Sequence, residues 1–192
     1  PCTHPCPLHG ADTDVYTVQK GDSLWKIAVK YEVGLSEIIA ANPQFPNPNL
    51  IYPGDKVTVP LYSETKKIEA EVARLVNEVR KNAGLEPLKL TWELSRVARH
   101  KSQDMRDKGY FSHTSPTYGS PFNMIRAYGI FFQSAGENIA AGQNTAQQVM
   151  NSWMNSTGHR QNILNASFTE IGVGYATGGS YGYYWTQMFI GR

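Results

Sequence analysis

Cys2-Thr-His4-Pro-Cys6-Pro-Leu-His9 places four soft or borderline metal ligands within eight residues. The spacing matches no closed zinc site, and the prolines stiffen the segment where it would have to wrap an ion. Two readings stay open: a tail without regular structure, with Cys2 and Cys6 joined to each other or to another chain, and a zinc or copper clip. Elsewhere no Ser-His-Asp or Cys-His arrangement is readable, although Ser112, Ser152 and Ser156 stand close in sequence to His113 and His159. Cys2 and Cys6 are the only cysteines, so no disulfide framework supports the body of the fold.

The elements that must position any site fit a chain of 192 residues, enough for one domain or two small ones. A hydrophobic content of 41% with 11% aromatics argues for a folded chain. Up to Pro60 there are 4 Lys/Arg against 6 Asp/Glu, and beyond it 14 against 10, which sum to the formal +2. That mild asymmetry does not suggest nucleic acid as a partner and is compatible with an anionic wall polymer. No apolar run reaches membrane-spanning length. The chain opens at Pro1 without a signal-like segment, which is uninformative about secretion.

In residues 15–60 a short strand feeds a Gly-Asp turn, with Ser23 at a helix N-cap position. Leu24, Ile27, Ala28 and Tyr31 then repeat at helical spacing. Gly34 interrupts, a second helix over about 35–42 carries Ile38, Ile39 and Ala41, and Pro53-Gly54-Asp55 introduces a strand over 56–59. This strand–helix–helix–strand order resembles the LysM module, which binds N-acetylglucosamine-containing glycans, and in particular the modules of spore coat assembly proteins. The resemblance implies a shallow groove with Gly21, Asp22, Ser23 and Leu24 on one side and Asn49, Leu50, Ile51, Tyr52 and Pro53 on the other. Backbone groups of both loops would take the N-acetyl group and hydroxyls over an apolar floor. Gly21 and Gly54 are read as turn residues, and Trp25 as part of the helix-side core.

Beyond a short polar linker at 61–65, helices and strands alternate. Ile68, Val72, Leu75, Val76 and Val79 share one face of a helix that stops before Gly84. An extended piece over 87–90 precedes a helix capped by Thr91, with Leu94, Val97, Ala98 and Met105 inward and Gly109 at its end. Ser120-Pro121 opens a helix closed by Gly129, and Thr145 with Gln148 forms a capping box ahead of a helix through Trp153. Residues 168–176 and 181–190 read as a hairpin joined through Gly178-Gly179, and Trp153 and Trp185 as core residues.

This second pattern resembles the CAP superfamily. The match is carried by Tyr110-Phe-Ser-His113, Gly136-Glu-Asn-Ile139, Ser152-Trp-Met-Asn-Ser-Thr-Gly-His-Arg-Gln-Asn-Ile-Leu164, Ile171-Gly-Val-Gly-Tyr175 and Tyr184-Trp-Thr-Gln187. The resemblance implies a three-layer α/β/α sandwich with a cleft over the sheet. Eukaryotic members line the cleft with two His and two Glu. His113 and Glu137 match one of each, whereas the second Glu falls near Ser156 and the second His at Tyr184. His159 is the substitute member in what looks like a bacterial branch. An imidazole beside a carboxylate can hold a proton near neutral pH or bind a divalent ion. Two His and a carboxylate also form a zinc-ligand set that leaves a position for water, so His113 and His159 are the candidate metal ligands and zinc the candidate cofactor. The opposing reading is that His113 and Glu137 merely tie loops to the sheet. Arg160 and Asn162 are expected to bond loop carbonyls around the cleft.

The expectation is an α+β protein with a tail at 1–14, a βααβ LysM module at 15–60, a linker at 61–65 and a CAP domain at 66–192. It is expected outside the cell, at a cell wall or spore surface, anchored on a peptidoglycan or chitin-type glycan, with a cleft that binds a ligand, metal or partner. Two alternatives remain: a metal-assisted hydrolase of wall or peptide, and a structural scaffold of the spore coat that binds coat or wall proteins.

Overall fold

A computed structural model of the chain describes residues 12–192. The expectations for Cys2, His4, Cys6 and His9 fall outside the described residues. The described residues form two compact units, one ending at Glu64 and the other spanning Thr65–Arg192.

In the first unit β1 (Thr13–Thr17) pairs antiparallel with β2 (Lys56–Pro60), in register from Thr13 opposite Pro60 to Thr17 opposite Lys56. The strand therefore takes in Thr13 and Asp14, at the end of the expected tail. Between the strands lie α1 (Leu24–Tyr31) and α2 (Leu35–Ala41). The Ser23 hydroxyl accepts from the Lys26 amide at 3.2 Å, satisfying one orphan donor of the helix start. Leu24, Ile27, Ala28, Val33, Ile38, Val57 and Val59 make the core. Trp25 is not part of it and stands 61% exposed. It follows Leu24 by one residue, about 100° around the helix from the stripe that Leu24, Ile27 and Ala28 define. Ile39 is likewise exposed beside buried Ile38.

The linker expectation also needs correction at its end, because α3 (Ser63–Asn82) begins inside it. The Asp12 carboxylate accepts from the Ser63 amide at 3.0 Å and from its hydroxyl, and Glu64 lies in the first turn, where a negative charge is favoured.

The second unit continues through β3 (Lys89–Leu90), α4 (Trp92–Lys108), α5 (Pro121–Ala127), β4 (Ser134–Ala141), α6 (Ala146–Met154), α7 (Thr157–Ile163), β5 (Glu170–Gly178) and β6 (Gly182–Gly191). The sheet order is β3-β5-β6-β4, antiparallel except for the short β3–β5 pair. One face packs Ala140, Ile171, Val173, Trp185 and Phe189 against α3, α6 and α7. The other packs Ile139, Tyr184, Met188 and Ile190 against α4 and α5. The result is a three-layer α/β/α sandwich, with Trp153 and Trp185 fully in the core. β4 and α7 arise from the two segments read only as motifs.

Gly172 and Gly174 explain how α4 reaches the sheet. A Cβ at Gly172 would meet the Leu94 carbonyl carbon at 2.3 Å, and one at Gly174 would meet that of Ala98 at 2.1 Å. Two residues of strand rise about 6.6 Å and four of helix about 6 Å, so a helix lying along a strand meets it at this repeat. The bare glycines let the α4 backbone rest directly on β5. The Ser102 hydroxyl locks the contact by donating to the Gly174 carbonyl at 3.0 Å.

Candidate functional site

β4 is an edge strand, and the candidate residues gather around it. Glu137 and Ile139 alternate toward the α4 face, Asn138 and Ala140 toward α6 and α7. The outward carbonyls of Glu137 and Ile139 are taken by side chains: Asn162 donates to the first at 3.2 Å and the Trp153 indole to the second at 3.1 Å. α6 and α7 thus seal a strand edge that would otherwise offer acceptors.

On the α4 side the His113 Nδ1 lies 2.8 Å from Glu137 Oε1. The Glu137 side chain is 1% exposed, and that of His113 53%. Burial pushes the Glu137 carboxyl above its ordinary range, while the His113 hydrogen bond and the nearby Lys101 and His113 charges pull the other way. Its second oxygen, Oε2, is buried without a protein partner among the described residues. The His113 loop is fixed from below by Lys101, whose ammonium donates to the His113 carbonyl at 2.7 Å. Burial lowers the Lys101 pKa against the opposing pull of Glu137 and Asp104. Sequence reasoning passed over Lys101, although it follows Ala98 by three residues and precedes Met105 by four, on the inward stripe of α4.

On the other side Asn138 donates to the His159 carbonyl at 3.0 Å and accepts from Asn162 at 2.9 Å. His159 lies close enough for the His113 charge to act on it. Burial, then that charge, hold its pKa below the usual value. Its Nδ1 is buried without a protein partner among the described residues. His113 and Glu137 therefore touch, whereas His159 shares no hydrogen bond with either. Of the three, His113 is the most open to solvent, His159 is half-buried and Glu137 is buried.

The expected zinc set does not fit. Among the described residues no three His, Cys, Asp or Glu side chains gather at metal-binding spacing. Glu137 Oε1 and His113 Nδ1 are hydrogen-bonded to each other, and His159 does not complete a three-ligand group with them. Tyr184, where the family places its second His, is buried against Met105 and Ile139. Asn162 bonds a carbonyl as expected, but that of Glu137 on strand β4 and not one on a loop. Arg160 does not: it is exposed and finds no acceptor among the described residues. It lines a concavity of about 350 Å3 with Met154, Asn155, Thr157, Gln161 and Leu164.

In the first unit the two expected glycan loops lie side by side. The Gly54 amide donates to the Val18 carbonyl and the Val18 amide to the Asp55 carbonyl, each at 2.9 Å. Gly21 and Gly54 take φ of +89° and +96° with open space around them, so conformation alone demands glycine there. Asp22 has a local task, accepting from the Tyr16 hydroxyl and the Gln19 amide at 2.7 Å each. Leu24 is buried in the core and can offer a ligand only its backbone. Leu50 and Tyr52 stand 55% and 63% exposed beside half-buried Ile51.

The cysteine-rich secretory protein family, CAP, matches residues 73–189, and the LysM domain matches residues 16–60. The protein YkwD of Bacillus subtilis is 55% identical over 130 residues, covering 68% of this chain and 49% of its own, so the chain spans about half the length of that relative. The spore coat assembly protein ExsA of Bacillus cereus is 48% identical over 56 residues, covering 29% of this chain and 9% of its own. An extracellular protein of Bacillus anthracis containing an SCP domain superposes with a TM-score of 0.61 at 37% identity, over 73% of this chain and 47% of its own. Together with the three-layer sandwich and the edge-strand His113–Glu137 pair, these matches show that the chain belongs to the CAP family and carries a LysM module ahead of its CAP domain.

Proposed function

We propose that this is an extracellular protein of the cell wall or spore surface. Its LysM module holds an N-acetylglucosamine-containing glycan, and its CAP domain presents the His113–Glu137 pair to a ligand or partner. The observation that carries the anchoring reading is the pairing of the two loops through Val18, Gly54 and Asp55, which leaves Leu50 and Tyr52 exposed at their rim. An aromatic face and an aliphatic side chain suit the apolar face of a sugar ring, and the flanking backbone suits its amide. One such module binds weakly and gains retention by repeated encounters on a polymer. The similarity to a spore coat assembly protein supports the spore surface as one location. The half-open His113 over a buried carboxylate supports ligand binding.

Sedimentation with insoluble peptidoglycan and with chitin tests the anchor. The full chain is expected in the pellet, and the Leu50→Ala/Tyr52→Ala double variant in the supernatant. Pelleting by the double variant equal to that of the unaltered protein would remove the rim from the site. Failure of both to pellet would remove the glycan reading altogether.

A further inference from the structure

The Arg160 concavity lies outside the His113–Glu137 pair, and neither the glycan loops nor the edge-strand chemistry uses it. Met154 and Leu164 form an apolar floor packed on the main core. Asn155, Thr157 and Gln161 bring two carboxamides and a hydroxyl to its wall, none engaged by another protein side chain among the described residues. Arg160 supplies a guanidinium with no internal acceptor. From Asn138 to Thr169 the chain contains no Asp or Glu, so the segment that builds the concavity offers this cation no acidic partner of its own. An unpaired guanidinium in a polar, concave wall is suited to a planar oxyanion, which it can grip through two parallel N–H donors.

We propose that this concavity between α6 and α7 binds the terminal carboxylate of a short peptide. Arg160 takes the carboxylate, Asn155 and Gln161 take the peptide amide, and Met154 with Leu164 takes a small apolar side chain. The volume of about 350 Å3 lies at the small end of ligand sites, the size of a dipeptide and not of a sugar chain. A bare phosphate would use the guanidinium but leave the carboxamides and the floor idle, which favours the peptide.

The test uses the full chain in low salt and nuclear magnetic resonance of the Arg160 Nε–H and the Asn155 and Gln161 side-chain amides. The probes are N-acetyl-alanyl-alanine, its C-terminal amide, and glycerol phosphate. Saturable shifts are expected with the free acid, with the amide and glycerol phosphate binding at least about tenfold more weakly. Arg160→Gln should raise the Kd for the acid by at least about tenfold without moving the thermal midpoint, because the side chain is exposed. His113→Ala should leave the Kd unchanged, which separates this site from the proposed function of the edge-strand pair. Equal binding of acid and amide, tighter binding of glycerol phosphate, an unchanged Kd in Arg160→Gln, or no shift with any probe would each overturn the proposal.

Discussion

Replacing Gly174 with alanine tests how α4 is seated. The new Cβ would lie 2.1 Å from the Ala98 carbonyl carbon, 2.2 Å from its oxygen and 2.2 Å from the Arg99 nitrogen, about 1.3 Å inside ordinary contact. All three are helix backbone atoms, so no rotamer change relieves the clash. α4 must lift away from β5, and with it the packing of Leu94, Val97, Ala98 and Met105. Overpacking a core costs about 1–3 kcal/mol, and a collision with rigid backbone belongs at or above the top of that range. For a unit of this size about 3 kcal/mol corresponds to a fall of roughly 10–15 °C in melting temperature. Gly158→Ala is the matched control, since Gly158 lies in α7 with nothing within 4 Å of an added Cβ. Relieving a helical glycine there should be neutral or stabilise by up to about 1 kcal/mol. Scanning calorimetry of the full chain, following the transition of the second unit, separates the two alanines. A Gly174→Ala melt within about 2 °C of the unaltered protein would refute the seating argument.

Glu69→Gln should destabilise by about 3–5 kcal/mol in urea unfolding, because it leaves buried Arg99 without the carboxylate that it grips at 2.5 Å. Arg80→Met should cost about 2–4 kcal/mol and speed amide exchange after α7, since the buried guanidinium donates to the carbonyls of Glu86, Ile163 and Asn165. The pH dependence should carry two opposite signs. His159 has a lowered pKa, so the unfolded chain takes the proton first, and its contribution is complete above the ordinary value of 6.5 and is lost as pH falls through the window below it. Glu137 has a raised pKa, so the folded state holds its proton longer, and stability is lost as pH rises from 4.5 through the folded value. Urea midpoints for His159→Gln and Glu137→Gln between pH 4 and 8 check this, and slopes of one sign would contradict it.

Much of the fold was legible because local chemistry agreed with packing. Ser23, Ser120 and Thr145 each accept from an amide three residues on, as their N-cap positions required. The inward stripes of α1, α3 and α4 follow from helical period alone. Misses fell where tertiary context decides. Trp25 looked like core by residue type, but its angular position on α1 sends it to solvent. β4 carries Gly136 and three alanines, weak strand formers that are strands here because β6 pairs them from Ser134 to Ala141. Gly172 and Gly174 were visible as motif residues, yet their reason is a helix more than seventy residues away.

The candidate site was half legible for the same cause. His113 and Glu137 are a local property of two motifs, and their contact survives in the structure. Whether such a pair is more than a brace depends on which sheet edge it occupies and how it is covered. The opposite edge offers the comparison. Beyond the short β3 pairing, Glu69 of α3 meets Arg99 of α4 near the Tyr175 amide, joining the two helical layers around β5. That pair is enclosed at both ends, so it can serve only as a brace. At the β4 edge Asn138, Asn162 and the His159 carbonyl tie the strand to α7, on one face of the sheet. On the other face His113 stands half open above a carboxylate whose second oxygen has no protein partner among the described residues. Burying an acceptor without a partner costs roughly 1–3 kcal/mol. A ligand that donates to this pair would recover that cost, and on this ground we propose binding at the β4 edge, in contrast to the enclosed Glu69–Arg99 pair.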